Sequence, residues 1–140
     1  MSKVAIVFWS ATGNTETMAN CIAEGAGANG TLVPCAEMTP AKLKEFDVVA
    51  FGCPAMGAEQ LEESEFEPMF AALEGSLNGK KIALFGSYGW GDGQWMRDWA
   101  QRAQDDGAQL FSEEGLICNE TPDEDAQAAC RKLGTELAVW

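Results

Sequence analysis

Val4-Ala5-Ile6-Val7-Phe8-Trp9 runs directly into Ser10-Ala11-Thr12-Gly13-Asn14-Thr15, and behind these come Met18, Cys21 and Ile22 at helical spacing. The first six residues are an unbroken apolar run, the pattern of a strand buried on both faces of a parallel sheet. Strand, short polar loop and amphipathic helix make one unit, and the rest of the chain repeats it. Thr31 to Cys35 reads as a second strand after the glycine-rich stop at Gly27 to Gly30, and Thr39-Pro40 caps a short helical piece ahead of a strand over Val48 to Gly52. Ser64-Glu65-Phe66-Glu67 has capping-box form before a helix through Leu73. Lys81 to Gly86 is a fourth strand, and Trp95, Met96, Trp99 and Ala103 mark a helix from Gln94 to about Asp105 with Gly107 as its stop. A fifth strand falls between Ala108 and Cys118, its middle made polar by Ser112, Glu113 and Glu114. Thr121-Pro122-Asp123-Glu124 joins a capping box to a first-turn proline at the head of the last helix. This strict alternation predicts an α/β fold, a doubly wound five-stranded parallel sheet with helices on both faces, with residues 1–140 as one domain. Ligands of such sheets bind beyond the carboxyl ends of the strands, where the strand order reverses.

Composition narrows the chemistry. The chain carries 22 Asp and Glu against 9 Lys and Arg, a net charge of -13, and no histidine. Imidazole catalysis and His-ligated metals are therefore excluded. The acidity argues against nucleic acid and anionic membranes, both of which bind through Lys and Arg. No signal-peptide pattern and no 18-residue apolar stretch is present, so a soluble cytoplasmic protein is expected. Cys21, Cys35, Cys53, Cys118 and Cys130 are odd in number and too widely spaced for a CxxC motif, and they read as buried, reduced thiols.

Three loops lie at the expected carboxyl ends. Ser10 to Thr15 offers three hydroxyls, an amide, a glycine and no charge at a helix N-terminus, where backbone N–H groups and the helix dipole favour a phosphate without any Lys or Arg. Gly25 to Gly30 matches G-x-G-x-x-G but ends a helix instead of opening one, and Gly75 to Lys81 lacks P-loop spacing; neither is a phosphate site. The second loop is Cys53-Pro54-Ala55-Met56-Gly57-Ala58-Glu59, and the third is Ser87-Tyr88-Gly89-Trp90-Gly91-Asp92-Gly93. Met56 and the glycine-framed Trp90 suggest two walls of a flat aromatic slot. A flat ring attached to a phosphate is a mononucleotide, and FMN fits best.

Trp9 to Glu16, the Ala55-Met56-Gly57-x-Glu59 loop and the run from Gly79 through Ser87-Tyr88-Gly89-Trp90-Gly91 to Met96 resemble the short-chain flavodoxins of anaerobic bacteria over essentially the whole chain. The resemblance implies strand order 2-1-3-4-5 with FMN at the switch point, an order taken from that family and not from this chain's periodicity. It implies that Ser10, Thr12, Asn14 and Thr15, with loop N–H groups including those of Ala11 and Gly13, hold the phosphate. Pro54, Ala55 and Ser87 would line the ribityl chain, Met56 the inner face of the ring and Trp90 its outer face. Backbone groups of Gly89, Trp90 and Gly91, following Tyr88, would meet the pyrimidine end, and Glu59 would accept from the flavin N3–H. In the family the Gly57 peptide turns so that its carbonyl accepts from the protonated N5 of the one-electron-reduced flavin.

The resemblance thus implies a low-potential one-electron carrier that shuttles FMN between semiquinone and hydroquinone and is not an enzyme, since the cofactor does the redox chemistry. Glu59, Glu62, Glu63, Glu65 and Glu67, with no Lys or Arg nearby in sequence before Lys80, would lower that potential. Each like charge at about 10 Å acts with an energy of order 1 kcal/mol. Expected partners are redox proteins with basic docking patches, ferredoxin-type donors and acceptors among them, and the protein is expected to be a monomer. A signalling receiver domain would need acidic residues at strand ends that here carry Trp9, Gly52 and Gly86; an NAD(P)H-dependent flavin enzyme would need a second, basic pocket.

Overall fold

The computed structural model describes residues 2–57, 60–89 and 91–140. Strands β1 (Val4–Phe8), β2 (Gly30–Pro34), β3 (Val48–Gly52) and β4 (Lys81–Tyr88) are joined in parallel in the order β2-β1-β3-β4, with the fifth position beside β4. That is the order the resemblance implies. The helices are α1 (Asn14–Ala26), α2 (Pro40–Leu43), α3 (Phe66–Leu73), α4 (Gln94–Asp105) and α5 (Glu124–Ala138).

Period-two alternation divides the core between the two faces. Val4 and Ile6 of β1 pack with Met18 and Ile22 of α1 and Leu133 and Leu137 of α5. Ala5 and Val7 join Phe66 and Phe70 of α3 and Trp99 of α4 on the other face. All five cysteines are free and buried.

The fifth strand is not continuous. It consists of β5 (Gln109–Leu110) and β6 (Leu116–Asn119), both parallel to β4, with residues 111–115 between them outside the ladder. Ser112, Glu113 and Glu114 stand exposed there, because an edge strand can shed polar residues into water while a buried one cannot. By pairing Ser87 with Cys118 and Tyr88 with Asn119, β6 extends β4 two residues beyond the expected Gly86. This brings Ser87 and Tyr88 into the sheet.

Two helix starts differ from their expected caps. Asp123, and not Thr121, caps α5, its carboxylate accepting from the Ala126 N–H at 2.8 Å, so Pro122 lies outside the helix. Ser64 and Glu67 form no capping box at α3. The buried carboxylate of Glu62 takes that place, accepting from the N–H groups of Ser64 at 2.8 Å, Glu65 at 2.7 Å and Phe66 at 2.9 Å, and from the Ser64 hydroxyl. A longer side chain starting further upstream reaches the N–H groups of N-cap Glu65 and first-turn Phe66 together with that of Ser64 before them, which a serine hydroxyl cannot.

Candidate functional site

The carboxyl ends of β1, β3 and β4 bring the loops after them into one cleft of about 210 Å³, lined by Ser10, Ala11, Thr12, Asn14, Thr15, Pro54, Ala55, Met56, Ser87, Tyr88, Gly89 and Glu120. Three loops remote in sequence meet here as the topology requires. Two larger clefts flank residues 111–115, of about 270 and 520 Å³. Their charged lining, Glu114 with Glu136 in one and Glu113 and Glu114 around Arg97 in the other, does not suit an anion.

At the first loop, Gly13 is the N-cap of α1 in a left-handed conformation (φ 94°) and makes no side-chain cap. Ser10 turns its hydroxyl inward instead, accepting from the N–H groups of Gly13 and Glu16, each at 3.2 Å. The N–H groups of Ala11, Thr12, Asn14 and Thr15 have no partner among the described residues. A helix start that keeps its first two N–H groups free beside free loop donors is an anion cradle. Thr15 is 1% exposed and its hydroxyl lies 2.9 Å from that of Ser87, while the Ser87 N–H donates to Thr15 Oγ1 at 3.3 Å. This pair ties the end of β4 to the start of α1, so the Thr15 hydroxyl is partly committed within the protein.

The second loop is a small hairpin. Met56 and Gln60 exchange both backbone hydrogen bonds, at 2.8 and 2.9 Å, and Gly57 stands at φ 51°. The Ala55 N–H donates to the Ser87 carbonyl at 3.0 Å, holding the hairpin against β4. Ala58 and Glu59 lie outside the described residues, as does Trp90 in the third loop. The expectation placed on Glu59 therefore rests on the resemblance alone, and that on Trp90 on its glycine-framed sequence and the resemblance. Gly91, at φ 90°, is not among the residues lining the cleft.

The sequence reading missed a fourth segment. Asn119, the last residue of β6, and Glu120, just after it, hold the third loop. The Glu120 N–H donates to the Tyr88 carbonyl at 2.7 Å, and Asn119 Nδ2 donates to the carbonyls of Tyr88 and Gly89 at 3.3 and 3.4 Å. Glu120 is the one carboxylate in the lining and the one non-glycine residue with positive φ, 56°, among the described residues. Its position beyond the end of the fifth strand was the available signal, since that is where open sheets bind ligands.

The acidic cluster is less uniform than its spacing suggests. Arg102 of α4 reaches Glu67 and Glu74, with its two terminal nitrogens each 2.7 Å from a carboxylate oxygen, so Glu67 is paired. Lys80 faces away, donating to the carbonyls of Leu43 and Phe46. Burial pushes the Glu62 carboxyl up, but the bonds from the Ser64 hydroxyl and from the N–H groups of Phe66, Ser64 and Glu65 outweigh it and hold the group down at about 2. An acid depressed from 4.5 to about 2 adds stability that is complete above 4.5 and is lost as the pH falls toward 2. Acid unfolding followed by circular dichroism is expected to show less pH dependence between 4.5 and 2 in Glu62→Gln than in the parent.

Comparison with known proteins agrees with this geometry. A family model described as Flavodoxin matches residues 6–134. The flavodoxin of Megasphaera elsdenii is 46% identical over 138 residues, covering 96% of this chain and 98% of that protein. The flavodoxin of Clostridium beijerinckii is 46% identical over 136 residues, covering 95% and 97%. The solution structure of two-electron reduced Megasphaera elsdenii flavodoxin superimposes with a TM-score of 0.84 at 43% identity, covering 98% of this chain and 99% of that one.

Proposed function

Because this chain belongs to the flavodoxin family, we propose a role for each of its loops in holding the cofactor. The protein is a low-potential one-electron carrier with non-covalently bound FMN, and it is not an enzyme. Bound FMN supplies the one-electron chemistry, and the chain binds it, orients it and sets its potential.

The observation that supports the assignment is the start of α1, where Ser10 satisfies the N–H groups of Gly13 and Glu16 while those of Ala11, Thr12, Asn14 and Thr15 stay free. The N–H groups of Ala11, Thr12, Asn14 and Thr15 hold the phosphate, with the hydroxyls of Thr12 and Ser10 and the Asn14 amide around it and Gly13 shaping the turn. Pro54, Ala55 and Ser87 line the ribityl chain, and Met56 covers one face of the ring. Gly89 meets the pyrimidine end, its carbonyl and that of Tyr88 held by Asn119, and Gly91 is assigned there from the family resemblance. Trp90 on the outer face and Glu59 at N3–H complete the assignment from the family resemblance.

Adding FMN to the apoprotein is expected to quench the flavin fluorescence. Riboflavin, which lacks the phosphate, is expected to bind about a hundredfold more weakly, since hydrogen bonds to a charged group are worth ~1.5–3 kcal/mol. Equal affinity for the two would remove the phosphate role from the first loop.

The net charge of -13 supports partners that present basic patches, whose encounter with this protein slows as salt screens the attraction. Ferredoxin-type donors and acceptors meet that description. No helix among the described residues is long and apolar enough to cross a membrane. The proposed form is a cytoplasmic monomer of one domain.

A further inference from the structure

We propose that Cys53 and Glu62 act as positioning residues for electron transfer, closing the base of the hairpin that carries Met56 and Gly57 so that only its tip responds to the cofactor's charge. The proposal rests on the cofactor placement above. Neither residue lines the cleft.

Cys53 is fully buried and bonded in four directions. Its N–H donates to the Phe85 carbonyl at 3.1 Å, and its carbonyl accepts from the Trp95 indole N–H at 3.2 Å. Its sulfur accepts the Glu62 N–H at 3.3 Å, and its thiol donates to the Pro54 carbonyl at 3.5 Å. The thiol thus joins the outgoing strand of the hairpin to the returning one. It remains a donor, because burial pushes it up to about 12.

Glu62 secures the returning strand. It is 6% exposed, and its carboxylate is saturated by three backbone N–H groups and the Ser64 hydroxyl at the start of α3. The hairpin is therefore fixed to β4 and α4 through Cys53 and to α3 through Glu62. Inside the base, Met56 and Gln60 close the ladder, leaving Gly57 at φ 51° as the described residue of the tip. Glycine passes between backbone conformations that other residues reach only with strain. A fixed base leaves the freedom to rearrange with Gly57. If the base slackens, the whole hairpin yields, and the loop distinguishes less well between the cofactor's charge states.

A part that merely supports the fold changes affinity for all redox states alike and leaves the potentials in place; a positioning part changes the states unequally and moves them. The test is potentiometry on the FMN-loaded parent, Glu62→Gln, Cys53→Ala, Cys53→Ser and Ser64→Ala, with thermal midpoints of the apoproteins measured alongside. Glu62→Gln turns an amide donor toward backbone donors but also removes a carboxylate that lowers the potential, so the uncharged substitutions Cys53→Ala, which removes the bridge, and Ser64→Ala separate positioning from charge. Glu62→Gln and Cys53→Ala are each expected to narrow the separation between the two one-electron potentials by about tenfold, ~59 mV at one electron. Cys53→Ser keeps an acceptor and a donor and is expected to restore most of the separation. Ser64→Ala removes one exposed donor, folds in any case, and is expected to shift the separation in the same direction by about threefold, ~28 mV. A parent with two one-electron steps whose separation survives Ser64→Ala and whichever of the other variants fold overturns the clasp alone. A parent with no one-electron steps overturns the clasp together with the cofactor placement.

Discussion

Replacing Thr12 by Asp is expected to weaken FMN binding by about a thousandfold and leave riboflavin binding within a few-fold of the parent. Thr12 sits in the first loop among unpartnered N–H groups and is exposed, so the change places a carboxylate at the cradle without disturbing the core. Two unit charges about 5 Å apart repel by roughly 3 kcal/mol at an effective dielectric of about 20. A phosphate dianion roughly doubles that figure, solvent exposure takes some of it back, and ~4 kcal/mol corresponds to about a thousandfold. Isothermal titration with both flavins separates the electrostatic effect from any general damage. Equal losses for FMN and riboflavin would mean that the phosphate does not lie in this loop.

Gly134→Ala is expected to destabilise the apoprotein by about 3 kcal/mol, lowering its thermal midpoint by roughly 10 °C. The sign is not obvious in advance, since alanine in a helix interior is worth ~1 kcal/mol over glycine. Here the added carbon would lie 1.9 Å from the Ile22 carbonyl oxygen of α1 and 2.9 Å from the Ala26 nitrogen. These are backbone atoms, which cannot swing aside. The contact is reciprocal, because a side chain at Gly25 would lie 1.9 Å from the Arg131 carbonyl oxygen of α5. The two helices thus meet backbone to backbone at a pair of glycines. Differential scanning calorimetry checks the effect, and a raised midpoint would show that α5 can move away from α1 at little cost.

Gly25 illustrates what was legible in the sequence. Its place in a false dinucleotide motif was readable from context, as the end of a helix before a strand, but its packing partner lies more than a hundred residues away. The element order, the buried strands and the three converging loops were readable because they follow from periodicity and from the rule that parallel sheets bind ligands at their carboxyl ends. Long-range pairings carried no such signal. Arg102 neutralises Glu67 from another helix, Glu62 caps α3 from outside the expected box, and Thr15 gives part of its hydrogen-bonding capacity to Ser87. The break in the fifth strand was half visible. Ser112, Glu113 and Glu114 marked a polar middle, but only pairing with β4 shows that the strand leaves the ladder there and returns at Leu116. Asn119 and Glu120 were within reach of the same carboxyl-end rule and lay just beyond the region where it was applied.

Reductive titration of the FMN-loaded protein, followed by absorbance under anaerobic conditions, tests the central claim most directly. Two separated one-electron steps are expected, the second at a potential well below that of free FMN, because the chain meets the more reduced cofactor with carboxylates such as Glu120 and with no Lys or Arg among the residues lining the cleft. A single two-electron step at the potential of free FMN would contradict the account.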